Sequence, residues 1–237
     1  MELLARGRDA DLFALDASTV LRRDRAGDDM ADQARLLLTL EELGYPVPHV
    51  IDADGADLVM ERIDGGTMLD ELAHEPEQYR RYGRQLGELH ERLHRLAAPA
   101  WLRPARGADG GCGQASDDAV IVHLDLHPAN VILSERGPIV IDWSNAASGS
   151  AEMDAAVTAI ITLGSELEGV AQERLESMRS LLIDAFLETC GTDPRAGLAD
   201  AIEYRRGNPN NTAAETRWIE TRARDCLDPF YLQPRAV

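Results

Sequence analysis

The eight residues HLDLHPAN (123 to 130) lie between two runs suited to strands, AVIV before them and VILS after. Two His, an Asp and an Asn crowded between apolar strands describe a polar loop held on a rigid scaffold, the usual setting of a chemical site. Twelve residues beyond Asn130, a further strand ends in VIDW on Asp142, and Pro128 bends the chain in between. Two chemistries suit this set. Read as alternate positions of one extended run, His123, Asp125 and His127 would share a face and ligate zinc or iron, as in a metallohydrolase. Read together with Asn130 and Asp142, Asp125 offers a carboxylate to take a hydroxyl proton. Asn130 and Asp142 then offer hard oxygens for magnesium on a polyphosphate, which is what phosphoryl transfer requires.

Working outward, VILSERGPIVID is predicted to be a hairpin whose turn carries Gly137 and Pro138. Upstream, PARGADGGCGQASDD (104 to 118) has no large apolar residue and reads as a loop. Before it, Tyr79, Tyr82, Leu86, Leu89, Leu93 and Leu96 follow a helical period over residues 78 to 96, and His90 and His94 on that stripe read as packing or surface residues. Gly65 and Gly66 mark a hinge. Ahead of the hinge, LFALD and TVLRR form two strands, a helix covers 29 to 43 with Gly44 as its stop, and HVIDA and DLVMERI form two more strands. Helices are expected around 152 to 168, 170 to 190, 194 to 206 and 212 to 226. The chain is therefore expected to be α+β, with a small strand-rich part over 1 to 63 and a larger, mainly helical part over 64 to 237.

Composition excludes several classes. Apolar residues make up 44% of 237, enough for a real core, and no apolar run approaches the roughly 20 residues of a membrane span. The opening MELLARGRDADLF has acidic residues where a signal peptide would be apolar, so a cytoplasmic location is expected, with no membrane partner. Cys112, Cys190 and Cys226 are odd in number and in no metal spacing, and read as ordinary thiols. The net charge of −18 argues against a nucleic-acid partner and suits either solubility or a cationic ligand. All 24 basic residues are Arg, so any chemistry proceeds without a lysine amine. The sequence is silent on oligomeric state.

HLDLHPAN followed by VIDW resembles the catalytic loop and metal-binding motif of the aminoglycoside phosphotransferase and choline kinase group, within the protein-kinase-like superfamily. The resemblance rests on His123, Asp125, Pro128, Asn130 and Asp142, in order and at that family's spacing. VLRR, the helix over 29 to 43, GYPVPHV and LVMERIDG extend it, so that it covers most of the chain to about residue 165. It implies a two-lobed fold with a reduced N-terminal β-lobe and a larger helical lobe, with ATP and Mg²⁺ as cofactors and a small-molecule hydroxyl as acceptor. Asp125 would be the catalytic base, and Asn130 and Asp142 would hold the metal. His123 would support the loop, and Asp154 would brace it from the next helix, where the alternative is simple stabilisation of a helix N-terminus. Met60, Glu61 and Ile63 would line the adenine site.

The N-terminal part departs from that pattern. The phosphate-covering loop would be RGRDAD, with Gly7 as its one glycine. The strand lysine is replaced by Arg, at Arg22, with Arg23 on the opposite strand face. The glutamate that pairs with that lysine is replaced by Gln33. Arg binds phosphate in a forked geometry and is not a neutral exchange for an ammonium. Gln33 can hydrogen-bond a guanidinium but supplies no counter-charge. These departures keep a rival expectation open, a nucleotide-binding pseudokinase with a regulatory role.

Overall fold

The chain opens as a meander of three short strands, which two later strands extend. In the computed structural model, which describes residues 1–7, 9–74, 76–105, 118–165 and 172–228, strands β1 (Glu2–Arg6), β2 (Ala10–Ala14), β3 (Thr19–Asp24), β4 (Val50–Asp54) and β5 (Asp57–Glu61) form one antiparallel sheet in the order β1-β2-β3-β5-β4. The strand β1 adds to those expected. All five of its residues are exposed, so ELLAR carries none of the in–out alternation by which a half-buried strand is recognised. The central position falls to β3, where Arg22 stands opposite Leu12 on one side and Leu58 on the other.

Helix α1 (Ala31–Glu42) buries Ala34, Leu36, Leu37 and Leu40, while Leu43, the last leucine of the same period in the sequence, lies past its end and is exposed. The helix stops because Gly44 takes φ 76°, a conformation open to glycine, while the Tyr45 amide donates to the Leu40 carbonyl at 2.8 Å. The Pro46 carbonyl then accepts from the Val140 amide at 2.8 Å, and Tyr45 meets the Trp143 ring edge-on at 5.6 Å between centroids. These contacts belong to one of two compact units, Met1–Met68 with Ala129–Ser144. The later segment contributes β8 (Val131–Ser134) and β9 (Gly137–Val140), the hairpin expected from VILSERGPIVID, but the turn falls on Glu135 and Arg136 and the expected turn residues Gly137 and Pro138 open β9; β8 also pairs with the short β6 (Gly66–Thr67). At Gly65 a Cβ would lie 2.3 Å from the Leu133 carbonyl oxygen, so this turn admits only glycine. The sequence pattern assigns everything after residue 63 to the helical part, whereas the hairpin packs with the sheet unit.

The second unit comprises Leu69–Pro128 and Asn145–Val237. It holds α2 (Met68–His74), α3 (Tyr79–His94), β7 (Val120–Val122), β10 (Ala147–Gly149), α4 (Ala151–Gly164), α5 (Gln172–Leu187), α6 (Leu198–Arg206) and α7 (Ala213–Thr221). Helix α4 is buried on nearly every side, as its apolar sequence requires of a central helix. Gly83 and Gly87 let α3 and α5 touch backbone to backbone: a Cβ on Gly87 would sit 2.6 Å from the Phe186 carbonyl oxygen. That approach sets the Phe186 ring edge-on to the His90 imidazole at 5.1 Å. No helix among the described residues is long and apolar enough to cross a membrane. Cys190 and Cys226 are buried free thiols; burial pushes both up, Cys226 to about 12, so neither is a thiolate near neutral pH. Cys112 and nearly all of the predicted loop 104 to 118 lie outside the described residues.

Candidate active site

The loop that begins at His123 leaves β7 after Val122 and turns at once. Leu124 has φ 63°, a left-handed conformation that costs a leucine about 1–3 kcal/mol and persists only when its surroundings impose it. Two features here impose it. The Leu124 side chain is buried, and the carboxylate of Asp154, in the first turn of α4, accepts from the Leu124 amide at 2.7 Å and from the His123 amide at 3.2 Å. The helix itself is capped by Ser150, whose hydroxyl accepts from the Met153 amide, leaving the Asp154 side chain for the loop.

Asp154 is fully buried, and a buried carboxylate must be well partnered to stay charged. Burial alone would raise its pKa and is the largest single influence. The hydrogen bond from His94 Nε2 at 2.9 Å and the neighbouring imidazoles outweigh it, so the group is held well below the usual carboxylate range. Beneath it, the Thr158 hydroxyl donates to the Leu126 carbonyl at 2.7 Å and can therefore only accept from His90 Nε2 at 2.9 Å. His90 thus carries its proton on Nε2, with Nδ1 bare and 3.6 Å from Asp154 Oδ2. Burial, opposed by the Asp154 charge, pushes His90 down to about 3. His90, His94 and Asp154 gather their ligand atoms within 4.8 Å of one another, and within this group the Asp154 oxygens and His94 Nε2 are engaged with the loop amides and with each other.

The reading of His123, Asp125 and His127 as a metal triplet fails here. It needs three alternate residues of one strand, but β7 ends at Val122 and the left-handed Leu124 breaks the extension. His123 is fully buried under the loop, while His127 Nε2 stands 3.8 Å from Asp125 Oδ1. Close to Asp125 lies Tyr204 of α6, whose hydroxyl is pushed up first by burial and then by the Asp125 charge.

A buried histidine held neutral makes stability depend on pH with a defined sign. Below its ordinary value of 6.5 the unfolded chain takes up a proton that folded His90 refuses until about 3, so stability is flat above 6.5 and falls between those values. The expected slope from this group is about 1 kcal/mol per pH unit below pH 6. Urea titrations at pH 7, 5.5 and 4.5 on the protein and on His90→Gln should show a shallower loss in the variant; equal slopes would mean that His90 titrates as freely folded as unfolded.

In the sheet unit, Asp142 follows β9 with φ 59°; Leu124 and Asp142 are the only non-glycine residues with positive φ among those described. Asp142 Oδ1 accepts from the Ser144 hydroxyl at 2.7 Å and lies 3.6 Å from Arg22 Nη2. The Asp142 side chain is 45% exposed and so remains reachable by a cation. Arg22 Nη1 donates to Gln33 Oε1 at 2.7 Å, and its side chain is only 13% exposed. Arg23, on the other face, makes a forked pair with its cross-strand partner Asp57 at 2.6 and 2.5 Å. The Asn130 carbonyl accepts from the Ile141 amide at 3.0 Å, tying the residues flanking the hairpin together. The Glu61 carboxylate accepts from Arg136 at 2.7 Å and from the His49 amide at 3.1 Å; Met60 pairs with Val20 and Val50 in the sheet, and Ile63 follows half-buried. Gly7 turns the β1–β2 connection, its amide donating to the Ala10 carbonyl at 2.8 Å.

Sequence reasoning takes His90 and His94 for packing or surface residues and does not single out Thr158 or the strain at Leu124. The available signal was a pair of imidazoles four residues apart on an otherwise Leu/Tyr helix face, since a polar group on an apolar stripe needs a partner.

A sheet with one helix, followed by α2 and α3, a strained polar loop, a hairpin and further helices, is a protein-kinase-like fold. The chain matches the family described as "Phosphotransferase enzyme family" over residues 1–111 and 100–182, and belongs to it. Among curated proteins it is similar to the probable serine/threonine-protein kinase BUD32 homolog of Archaeoglobus fulgidus, at 25% identity over 194 residues, 81% of this chain and 79% of the relative. Among solved structures, aminoglycoside phosphotransferase APH(2'')-Ib with ADP shares the fold at TM-score 0.59 and 14% identity, covering 95% of this chain and 93% of its own. A choline/ethanolamine kinase family protein from Mesorhizobium loti does so at TM-score 0.57 and 15% identity, over 97% and 89%. The amicoumacin kinase hAmiN, solved with AMP-PNP, Ca²⁺ and Ami, shares it at TM-score 0.55 and 13% identity, over 99% and 90%.

Proposed function

We propose that this protein is an ATP-dependent kinase that transfers the γ-phosphoryl group to a hydroxyl of a small molecule. The observation that carries the reading is the coincidence of backbone strain with chemistry. Among the described residues, the two left-handed non-glycine positions are the one preceding Asp125 and Asp142 itself, and such outliers gather at functional sites. In this reading Asp125 orients the acceptor hydroxyl and takes its proton as the oxygen attacks the γ-phosphorus and the bond to ADP breaks. Arg22 receives the phosphates, with Gly7 in the loop above them, and the backbone of Met60, Glu61 and Ile63 borders the adenine. Asn130 and Asp142 hold Mg²⁺; an amide oxygen and a reachable carboxylate are the hard donors that ion prefers. When bound, the ion would neutralise charge on the phosphates. His123, Gln33 and Asp154 support these groups. Solved structures of the same fold that contain ADP or AMP-PNP support nucleotide use.

The acceptor proposed is cationic or polyhydroxylated, in keeping with a chain of net charge −18. The second reading, a nucleotide-binding pseudokinase, draws on Arg22 and Gln33 standing where the family has lysine and glutamate. Nucleotide binding is tested by melting the protein with millimolar ATP and Mg²⁺. At a hundred times the dissociation constant the ligand adds about 2.7 kcal/mol, a rise on the order of 5 to 10 °C for a chain of this size. The rise should require Mg²⁺ and vanish in Asp142→Ala. No rise with any nucleotide would sink both readings and leave a scaffold that has kept the fold.

A further inference from the structure

Arg22 and Gln33 are more than a lysine and a glutamate replaced. A Lys–Glu pair is neutral, whereas Arg22 and Gln33 together carry one positive charge that Gln33 does not balance. A carboxylate that faces this charge is Asp142, with Oδ1 3.6 Å from Nη2. One end of the guanidinium is anchored, and the other, Nη2, is the end that faces the carboxylate. Nη1 is bonded to Gln33 at 2.7 Å and touches the Met30 sulfur at 3.7 Å, and the side chain is 13% exposed, so its fork is aimed by α1. Gln33 therefore acts as a positioning residue that directs a permanent cation at the carboxylate, and the Ser144 hydroxyl donates to the same oxygen, Oδ1.

Resting on the kinase reading above, we propose that Arg22 is a latch on Asp142, a built-in cation that competes with the divalent metal for the same oxygen. Without nucleotide, a metal approaching Asp142 must work against a fixed positive charge within 4 Å. Polyphosphate supplies the other anion Arg22 can bind in a forked geometry, and its arrival draws the guanidinium off the carboxylate. Nucleotide and metal are thus taken up together and neither is held well alone. A site keeping the neutral Lys–Glu pair would show this coupling less, because its cation already has a carboxylate.

The test is Mn²⁺ binding to the full chain with no nucleotide present, read from the electron paramagnetic resonance signal of the free ion. Arg22→Gln should bind Mn²⁺ roughly fivefold more tightly than the wild type, the size expected for removing one partly exposed charge pair. Gln33→Glu, which keeps Arg22 but gives it a second carboxylate, should move affinity in the same direction. Adding Asp142→Asn to either variant should abolish the gain. Unchanged affinity in both single variants, or a gain that survives Asp142→Asn, would overturn the latch. Because no nucleotide enters this measurement, a gain in Arg22→Gln alongside a wild type that ignores ATP and Mg²⁺ would uphold the latch while the kinase reading fell.

Discussion

Asp154→Ala should lower stability by about 3–5 kcal/mol, the range for removing one member of a buried charged network. The substitution strands three donors at once: the amides of His123 and Leu124, and Nε2 of His94. Each buried donor left unpaired costs about 1–3 kcal/mol. It also removes what holds Leu124 at φ 63°. For a chain of this length the melting temperature should fall by roughly 10 °C or more. Asp154→Asn, which keeps an acceptor oxygen for the loop amides but turns an amide or a neutral oxygen toward His94, should cost less. Urea denaturation of the three proteins measures both differences. A loss in Asp154→Ala below about 0.5 kcal/mol, the scale of an ordinary surface change, would mean that the carboxylate is a helix-end ornament. Acid should act in the same direction. The depressed carboxyl adds stability that is present above its unfolded value near 3.8 and is lost as pH falls below it, a window lower than that of His90.

The surroundings of the same carboxylate were legible only in part: Asp154 was named as a brace from the resemblance, its His94 partner was not. The central elements were legible because their residues leave little choice: the Leu-rich stripe of α1 ends at a glycine, the Tyr/Leu stripe of α3 has a strict helical period, and two apolar runs flank the short ERG connection of β8 and β9. The strand β1 was not legible, since an edge strand exposed on all positions follows no period. The placement of the hairpin with the sheet unit depends on Pro46 meeting Val140 and Tyr45 meeting Trp143, pairs about a hundred residues apart that no local pattern announces. At the candidate site, the identities of Asp125, Asn130 and Asp142 were readable from motif spacing. Of the partners that aim the polar groups, Asp154 and Gln33 were named from the resemblance, whereas the roles of His94, Thr158 and Ser144 were not. That Arg22 faces Gln33 and Asp142 while Arg23 faces Asp57 follows from strand alternation, but the distances that make a latch of Arg22 depend on the fold.

Asp125→Asn should reduce phosphoryl transfer by about a hundredfold to ten-thousandfold, the contribution of a positioned general base. The amide keeps the size and hydrogen-bonding capacity of the side chain but cannot accept a proton at neutral pH. Nucleotide binding should be untouched, because Arg22, Asn130 and Asp142 are unaltered, so the ATP and Mg²⁺ melting shift should persist at its wild-type size. The measurement is ADP release with a panel of hydroxylated amines, amino sugars and polyols, and with water as the slowest acceptor. Three substitutions then act on separable functions. Asp142→Ala is expected to lose both the shift and the turnover, Asp154→Ala to lose stability first, and Asp125→Asn to lose turnover alone. A pseudokinase would give another pattern: a melting shift in the wild type, background ADP release with every acceptor, and no change on replacing Asp125. A wild type that turns over while Asp125→Asn retains its full rate would remove Asp125 from the chemistry. The strain at Leu124, which the fold sustains through the buried Asp154, would then need a purpose other than presenting the residue next to it.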